Sequence, residues 1–268
     1  MLRAGIIGFG TLGKSISELI ESGQAGDVVL QALLVRTPLV PLDQTPNQCT
    51  VTTNEDVFFN QNLDIIIEAA GHQALQLYGE KALSIGCDLV ILSVGALADK
   101  DFYETLQAAA KKYKTQMIIP SAAIAGLDRI AAGVLGEIDE ITLITRKPPK
   151  SWYGTIAEEK VNLETIKEPY CIFEGNARNA AKLFPQNVNV SAALSLAGIG
   201  FEETKVQVYV DPTIQMNTHT IVAKGYFGQM ETTIQNNPFK ENPKSSPIVA
   251  MSVAKVLQNR TTSVVIGV

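Results

Sequence analysis

Two places in the sequence combine residue types and spacing that could support chemistry: a glycine cluster near its start and a histidine in its second half. Gly8, Gly10 and Gly13 form the pattern GxGxxG. Glycine permits a tight turn and lets the backbone approach a pyrophosphate, so this pattern between a strand and a helix is typical of dinucleotide binding. The alternative is a glycine turn with a purely structural role.

The residues around this cluster predict the strand and the helix that such a site needs. Residues 3–7 are a strand-like run, and residues 12–20 have apolar side chains at helical spacing. Thr11 and Leu12 would then open a helix whose N-terminal N–H groups and dipole favour phosphate. We therefore expect Gly8, Gly10, Thr11, Leu12 and Gly13 to bind the cofactor.

Two further strand ends point to the same cofactor. Arg36 follows a predicted strand at residues 28–35, where an acidic residue would bind the ribose 2′-hydroxyl group of NAD. A guanidinium instead suits the 2′-phosphate of NADP, so we expect NAD or NADP, with NADP at least usable. The alternative is a solvated surface arginine. Ala70 and Gly71 follow the next strand, and their small size leaves room for the ribose and the nicotinamide.

The chain has two histidines, His72 and His219. An imidazole exchanges protons near neutral pH, so either ring could act as an acid or a base. His72 is interpreted as a structural residue at the start of a helix. His219 lies in a predicted strand, where Asn217, His219 and Ile221 share one face. The pattern alone leaves a catalytic and a structural role open for His219.

The elements that must position these residues alternate in the first half. The predicted strands are 3–7, 28–35, 64–67, 88–94 and 116–119, and the predicted helices are 12–20, 73–85 and 101–112. Continuous apolar strands between helices are typical of a parallel sheet covered on both faces, so we predict an α/β Rossmann domain with a doubly wound parallel sheet.

The second half is richer in strands, at 141–145, 205–210, 219–226 and 230–235, with helices at 175–183 and 190–196. This predicts an α+β domain built on a mixed or antiparallel sheet. We place a dinucleotide-binding domain at residues 1–120 and a substrate and catalytic domain at 121–246. A C-terminal helix within 247–268 is expected to pack back on the first domain.

Composition excludes several classes of function. The formal net charge is −5, which argues against nucleic acid as a partner, since phosphate backbones need a basic surface. No apolar run approaches the ~20 residues that span a bilayer, so we expect no membrane association. The three cysteines, Cys49, Cys87 and Cys171, are scattered without zinc spacing. They predict reduced thiols, no metal site and a cytoplasmic location.

Several stretches resemble the L-aspartate dehydrogenase family. They are residues 120–126, 175–178 with 180–185, 187–198, 211–212 followed by 217–219 and 225–228, and 241–246, together with the glycine cluster. The resemblance covers nearly the whole chain, and it implies oxidation of L-aspartate to iminosuccinate with NAD or NADP. The imine hydrolyses to oxaloacetate and ammonia, or it feeds NAD biosynthesis.

The resemblance also implies roles for particular residues. His219 matches the catalytic acid/base of the family, and Ala123 and Asn189 match positions that contact the cofactor. The two carboxylates of aspartate need cationic or N–H partners, for which Arg146, Lys147 and the loop with Lys244 and Ser245 are candidates. Each of these charges is equally interpretable as solvated. A homodimer is expected by analogy with such folds.

Two other functions stay open on the sequence. One is a different two-domain dehydrogenase or reductase, of the homoserine dehydrogenase or dihydrodipicolinate reductase type. The other is a non-catalytic dinucleotide-binding sensor, which would keep the three glycines and would not need His219.

Overall fold

The computed structural model describes residues 1–38, 46, 49–184, 188–242 and 245–267. The chain divides into two compact units. Unit 1 contains Met1–Ala122 and Pro238–Val268, and unit 2 contains Ala123–Asn237. The first division lies close to the boundary proposed at residue 120, and the second lies nine residues before the proposed return at 247.

Unit 1 alternates strands and helices along the chain. Its strands are β1 (Leu2–Ile7), β2 (Val28–Leu34), β3 (Thr50–Thr52), β4 (Ile65–Glu68), β5 (Asp88–Ile91) and β6 (Met117–Ile118). Its helices are α1 (Thr11–Glu21), α2 (Glu55–Phe59), α3 (His72–Ser84), α4 (Lys100–Tyr113) and, from the end of the chain, α9 (Pro247–Asn259).

The six strands form one parallel sheet in the order β3-β2-β1-β4-β5-β6. The chain leaves β1 towards β2 and later returns to β4 on the other side of β1. The carboxyl ends of β1 and β4 therefore border a topological switch point, where such sheets bind ligands. Ile65, Ile66 and Ile67 are all buried, as expected when both faces of a sheet are covered.

Helix α9 belongs to the core of unit 1. Its buried face, formed by Ala250, Val253, Ala254 and Leu257, joins the apolar cluster that also contains residues of β1 and α1. The last helix is therefore part of the packing that supports β1 and the turn after it.

In the part of unit 2 that the structure describes, there are four α-helices and five strands. The helices are α5 (Leu127–Gly133), α6 (Ala177–Leu183), α7 (Val188–Ala197) and α8 (Gly200–Glu203). The strands are β7 (Ile138–Lys147), β8 (Tyr170–Asn176), β9 (Lys205–Val210), β10 (Thr218–Gly225) and β11 (Gly228–Gln235).

The sheet of unit 2 is mixed, in the order β11-β10-β7-β9-β8. Strands β7 and β9 are parallel, and the other neighbours are antiparallel. Along β10, His219, Ile221 and Ala223 are buried while Thr220 and Val222 are partly exposed, which is the alternation of a strand with one covered face. The predicted fold class, a parallel doubly wound sheet followed by a mixed-sheet domain, is confirmed.

One prediction about local structure was wrong, and several elements were not predicted. Residues 175–183 were predicted as one helix, but Gly175 and Asn176 end strand β8, and the helix begins at Ala177. The Asn176 side chain accepts a hydrogen bond from the Asn179 N–H group, so it caps that helix. The elements that were not predicted are short or lie at the edge of a sheet: β3, β8, α2, α5 and α8.

Candidate active site

The turn after β1 accepts only glycine at its first position. Gly8 has a φ of +95°, in the region that other residues rarely adopt. A Cβ atom at Gly8 would lie 2.7 Å from the Cβ atom of Ala70 and 2.9 Å from the Ala69 carbonyl oxygen. The loop after β4 is therefore packed against the turn after β1.

The start of α1 is open towards an anion. Gly10 is the N-cap residue, its backbone is extended, and a Cβ atom there would meet nothing within 4 Å. No acidic residue lies in the first turn of α1, so no side chain competes for its free N–H groups. At Gly13 a Cβ atom would collide with the Gly8 carbonyl oxygen, which keeps the helix close to the turn. These features fit a pyrophosphate at this helix N-terminus.

The other residues predicted to bind the cofactor lie at neighbouring strand ends. Arg36 is exposed two residues beyond β2, Ala70 is exposed after β4, and Gly71 is partly buried there. Because β2, β1 and β4 are adjacent in the sheet, unit 1 brings these residues to the same edge as the glycine turn. A dinucleotide that extends along this edge fits the residues present.

His219 is a buried polar residue of strand β10, with 7% of its surface exposed. It pairs with Thr145 of β7 on one side and with Ile234 of β11 on the other. Partners directly opposite each other project from the same face of a sheet. His219 and Thr145 therefore share the covered face of the sheet of unit 2.

A hydrogen bond of 3.0 Å joins Thr145 Oγ1 to His219 Nδ1. The hydroxyl group can donate to this nitrogen or accept from it, so it serves the ring in more than one protonation state. Nδ1 is therefore engaged within the sheet of unit 2. Thr145 was not among the predicted site residues. Its place at the end of the predicted strand 141–145, next to the candidate Arg146, was a signal, but the pairing with His219 depended on strand register.

Lys147 lies two residues beyond Thr145 on β7 and shares its face. Its ammonium group lies 5.5 Å from the centre of the buried Trp152 ring. Its carbonyl oxygen accepts hydrogen bonds from Trp152 Nε1 at 3.2 Å and from the Asp211 N–H group at 2.9 Å. The backbone at Lys147 is thus fixed by two donors.

Burial changes the acid–base properties of this pair. Desolvation lowers the pKa of Lys147 to about 8. Desolvation, and in second place the positive charge of Lys147, lower the pKa of His219 to about 4. The imidazole is therefore neutral at pH 7, and the lysine is still mostly cationic.

Arg146, the neighbouring candidate for binding a carboxylate, already has an acidic partner. Its Nη1 atom lies 3.3 Å from Asp211 Oδ2, and its guanidinium lies over the Tyr209 ring at 4.4 Å. Burial alone would raise the pKa of Asp211, but hydrogen bonds from Thr213 and the pairing with Arg146 bring it below its ordinary value. Arg146 lies on the opposite face of β7 from Lys147.

The remaining predicted site residues are spread over the two units. Ala123 and Asn189 belong to unit 2, where the Ala123 carbonyl oxygen accepts a hydrogen bond from Asn236 Nδ2 at 2.7 Å and Asn189 lies exposed in the first turn of α7. Ser245 belongs to unit 1, and its N–H group donates to the Asn242 carbonyl oxygen. Lys244 lies outside the described residues.

None of the helices that the structure describes is both long enough and apolar enough to cross a membrane.

Comparisons with known proteins assign the two parts of the chain. Residues 8–120 match the family model of the homoserine dehydrogenase NAD-binding domain, and residues 128–260 match that of the aspartate dehydrogenase C-terminal domain. The NAD-binding match covers the glycine turn and strands β2 to β6 of unit 1, and the second match includes His219.

Relatives that match over nearly the whole of this chain are named L-aspartate dehydrogenase. The L-aspartate dehydrogenase of Ralstonia pickettii is 39% identical over 98% of this chain and 99% of its own, and that of Methanosarcina mazei is 39% identical over all of both chains. The crystal structure of aspartate dehydrogenase from Thermotoga maritima has a TM-score of 0.80 and 25% identity, with all of both chains covered. Homoserine dehydrogenase from S. aureus has the same fold, with a TM-score of 0.62, 15% identity, and coverage of 97% of this chain and 77% of its own. The resemblance inferred from the motifs is confirmed, and the chain belongs to the L-aspartate dehydrogenase family.

Proposed function

We propose that this protein oxidises L-aspartate to iminosuccinate with NAD or NADP, after which the imine hydrolyses to oxaloacetate and ammonia. The observation that carries the proposal is the similarity to L-aspartate dehydrogenases over the full chain. The glycine turn at the N-terminus of α1 and the buried His219 supply the two kinds of group that this reaction needs.

The reaction removes a hydride from Cα of aspartate and a proton from its nitrogen. A bound NAD or NADP supplies the hydride acceptor. The electron pair of the amine forms the C=N bond, so the amine must be uncharged when the Cα–H bond breaks. The protein therefore has to accept a proton from the substrate ammonium group at a defined atom.

Nε2 of His219 is the proton acceptor in this proposal. The hydrogen bond to Thr145 at 3.0 Å holds the ring by its other nitrogen. In the free chain burial and Lys147 keep the imidazole neutral. The two carboxylates of bound aspartate bring negative charge and offset that of Lys147, which raises the pKa of the imidazole when the substrate is present. The base is thus strengthened by the substrate it acts on.

Lys147 is proposed to bind a carboxylate of the substrate. A desolvated ammonium group gains more from an anionic partner than a solvated one does, because the surrounding dielectric is low. The neighbouring Trp152 ring limits the access of water to the same group. Ser245 and Lys244 remain candidates for the second carboxylate, and Ala123 and Asn189 remain candidates for contacts with the cofactor.

The choice between the two cofactors is proposed to depend on Arg36. Its exposed guanidinium follows β2, where the ribose of the adenosine half is expected to lie. An arginine there favours a 2′-phosphate, so NADP should be accepted at least as well as NAD.

A homodimer and a cytoplasmic location are further parts of the proposal. The free thiols of Cys49, Cys87 and Cys171 support a reducing compartment. The sheet of unit 2 supports self-association, since the face away from His219 carries the partly exposed Ile144 and Val222. The mass in solution decides the first point: two chains support the dimer, and one chain contradicts it.

A second candidate is homoserine oxidation, because the NAD-binding half matches the model from homoserine dehydrogenase. A substrate panel separates the two. Initial rates of NAD and NADP reduction are measured with L-aspartate, L-glutamate and L-homoserine. We expect reduction with L-aspartate alone, and reduction with homoserine but not aspartate would replace the proposed function by the second candidate.

A further inference from the structure

A buried carboxylate ends strand β4, outside the residues discussed so far. Glu68 is 1% exposed and is the last residue of a strand whose other members are all isoleucine. An acidic side chain in such a position is stable only when its oxygen atoms are hydrogen-bonded.

Four donors surround this carboxylate, and three of them are backbone N–H groups. Oε1 accepts from the Ala70 and Gly71 N–H groups at 2.8 Å each and from Ser93 Oγ at 3.0 Å. Oε2 accepts from the Ser93 N–H group at 3.0 Å. The side chain of Glu68 thus connects the loop after β4 to the loop after β5.

Both loops lie at the edge of the sheet where the cofactor is expected. The loop after β4 is packed against the glycine turn, since a Cβ atom at Gly8 would meet atoms of Ala69 and Ala70. Ala70 itself is exposed, so the loop presents a surface at this edge and is not part of the core. A loop that is exposed yet held by a buried side chain is positioned by that side chain.

We infer that Glu68 is a positioning residue for the cofactor, because its carboxylate holds the two loops beside the glycine turn in the arrangement that receives the dinucleotide. The inference rests on the proposed use of NAD or NADP and is independent of the role of His219. The bonds to Glu68 also occupy the Ala70, Gly71 and Ser93 N–H groups, so these groups do not donate to the phosphates. The phosphates are then bound by the N-terminus of α1.

The decisive variant is Glu68→Gln. An amide has one oxygen, so the variant retains the three bonds at Oε1 and places an NH₂ group against the Ser93 N–H group. We expect the dissociation constants of NAD and NADP, measured by titration calorimetry, to rise about tenfold or more. Turnover at saturating cofactor should stay within about threefold of the wild type, since the carboxylate is proposed to touch no reacting atom.

The matched control is Asp64→Asn, in the residue directly before the same strand. Asp64 also accepts bonds from a backbone N–H group and a side chain, both belonging to Arg3. This variant should lower the melting temperature and leave both cofactor dissociation constants within about twofold. If cofactor binding weakens equally in Asp64→Asn and Glu68→Gln, Glu68 affects it only through the stability of the fold, and the inference is overturned.

Ser93→Ala keeps the inference testable if Glu68→Gln does not fold. It removes one of the four bonds and should raise the dissociation constants about two- to fivefold. Unchanged cofactor binding in Glu68→Gln, or in Ser93→Ala when the first variant is unfolded, contradicts the inference. If the wild type binds NAD(P) but does not oxidise L-aspartate, the proposed reaction fails while these dissociation constants still decide the role of Glu68.

Discussion

At the scale of single residues, His219 is distinguished by being buried while its Nδ1 atom is hydrogen-bonded to Thr145. We predict that His219→Ala lowers turnover with L-aspartate by about 10²-fold or more, the usual effect of losing an acid or a base. Binding of NAD(P) by unit 1 should be retained, because the glycine turn and α1 are unchanged. Steady-state kinetics and a cofactor titration on the same preparation check both points.

A variant of Thr145, the hydrogen-bond partner of His219, separates the catalytic role of His219 from its packing. Thr145→Val preserves the shape of the side chain and removes the bond to Nδ1, so turnover should fall by about tenfold. Thr145→Ser should restore most of it. Unchanged turnover in His219→Ala would instead favour a different acid/base group or a non-catalytic dinucleotide-binding protein.

The lowered pKa of Lys147 leads us to predict that the binding of a carboxylate ligand depends on pH. Its pKa of about 8 means that the ammonium form is lost as the pH rises through 8. The inhibition constant of succinate, a dicarboxylate without an amine, should therefore rise about tenfold between pH 7 and pH 9. In Lys147→Arg the guanidinium stays charged, so the inhibition constant should be constant over this range. Equal pH dependence in both proteins would show that Lys147 does not bind the carboxylate.

At the scale of elements, the turn between β1 and α1 accepts a substitution at Gly10 that tests the cofactor site without straining the backbone. Gly10 has an extended backbone and open space around it, so Gly10→Ala should change the unfolding free energy by less than about 1 kcal/mol. The added methyl group would occupy the space that a pyrophosphate needs. We predict at least a tenfold weaker binding of NAD and NADP, and unchanged binding would place the phosphates elsewhere.

The elements of the first sheet were largely predictable because each central strand is a continuous apolar run. Strand β3, with three residues, and strand β8 were missed, since most of their side chains are exposed or only partly buried and the apolar signal is weak. Cys171 is exposed, and the register of β8 shifts between Cys171 and Phe173. An irregular edge strand of this kind does not show a clean alternation.

The same limit applies to the candidate site. The glycine pattern and His219 could be found from the sequence, because one is a contiguous motif and the other is one of only two histidines. Thr145 and Glu68 could not be assigned in this way. Thr145 depends on the register between β7 and β10, and Glu68 depends on three N–H groups that the fold brings to its carboxylate.

At the scale of the whole molecule, the two units divide the proposed chemistry. Unit 1 contains the glycine turn and, through α9, packs the end of the chain against α1. Unit 2 contains His219, Thr145 and Lys147 on one face of its mixed sheet. The similarity to L-aspartate dehydrogenases extends over the full chain and therefore covers both units.

The most direct test of the proposed reaction follows the hydrogen atom on Cα. The enzyme is incubated with L-aspartate deuterated at Cα and with NAD or NADP, and the reduced cofactor is analysed by mass spectrometry. Our account predicts one deuterium atom in each molecule of reduced cofactor and equimolar oxaloacetate and ammonia. Reduced cofactor without deuterium, or no reduction with L-aspartate at all, would contradict it.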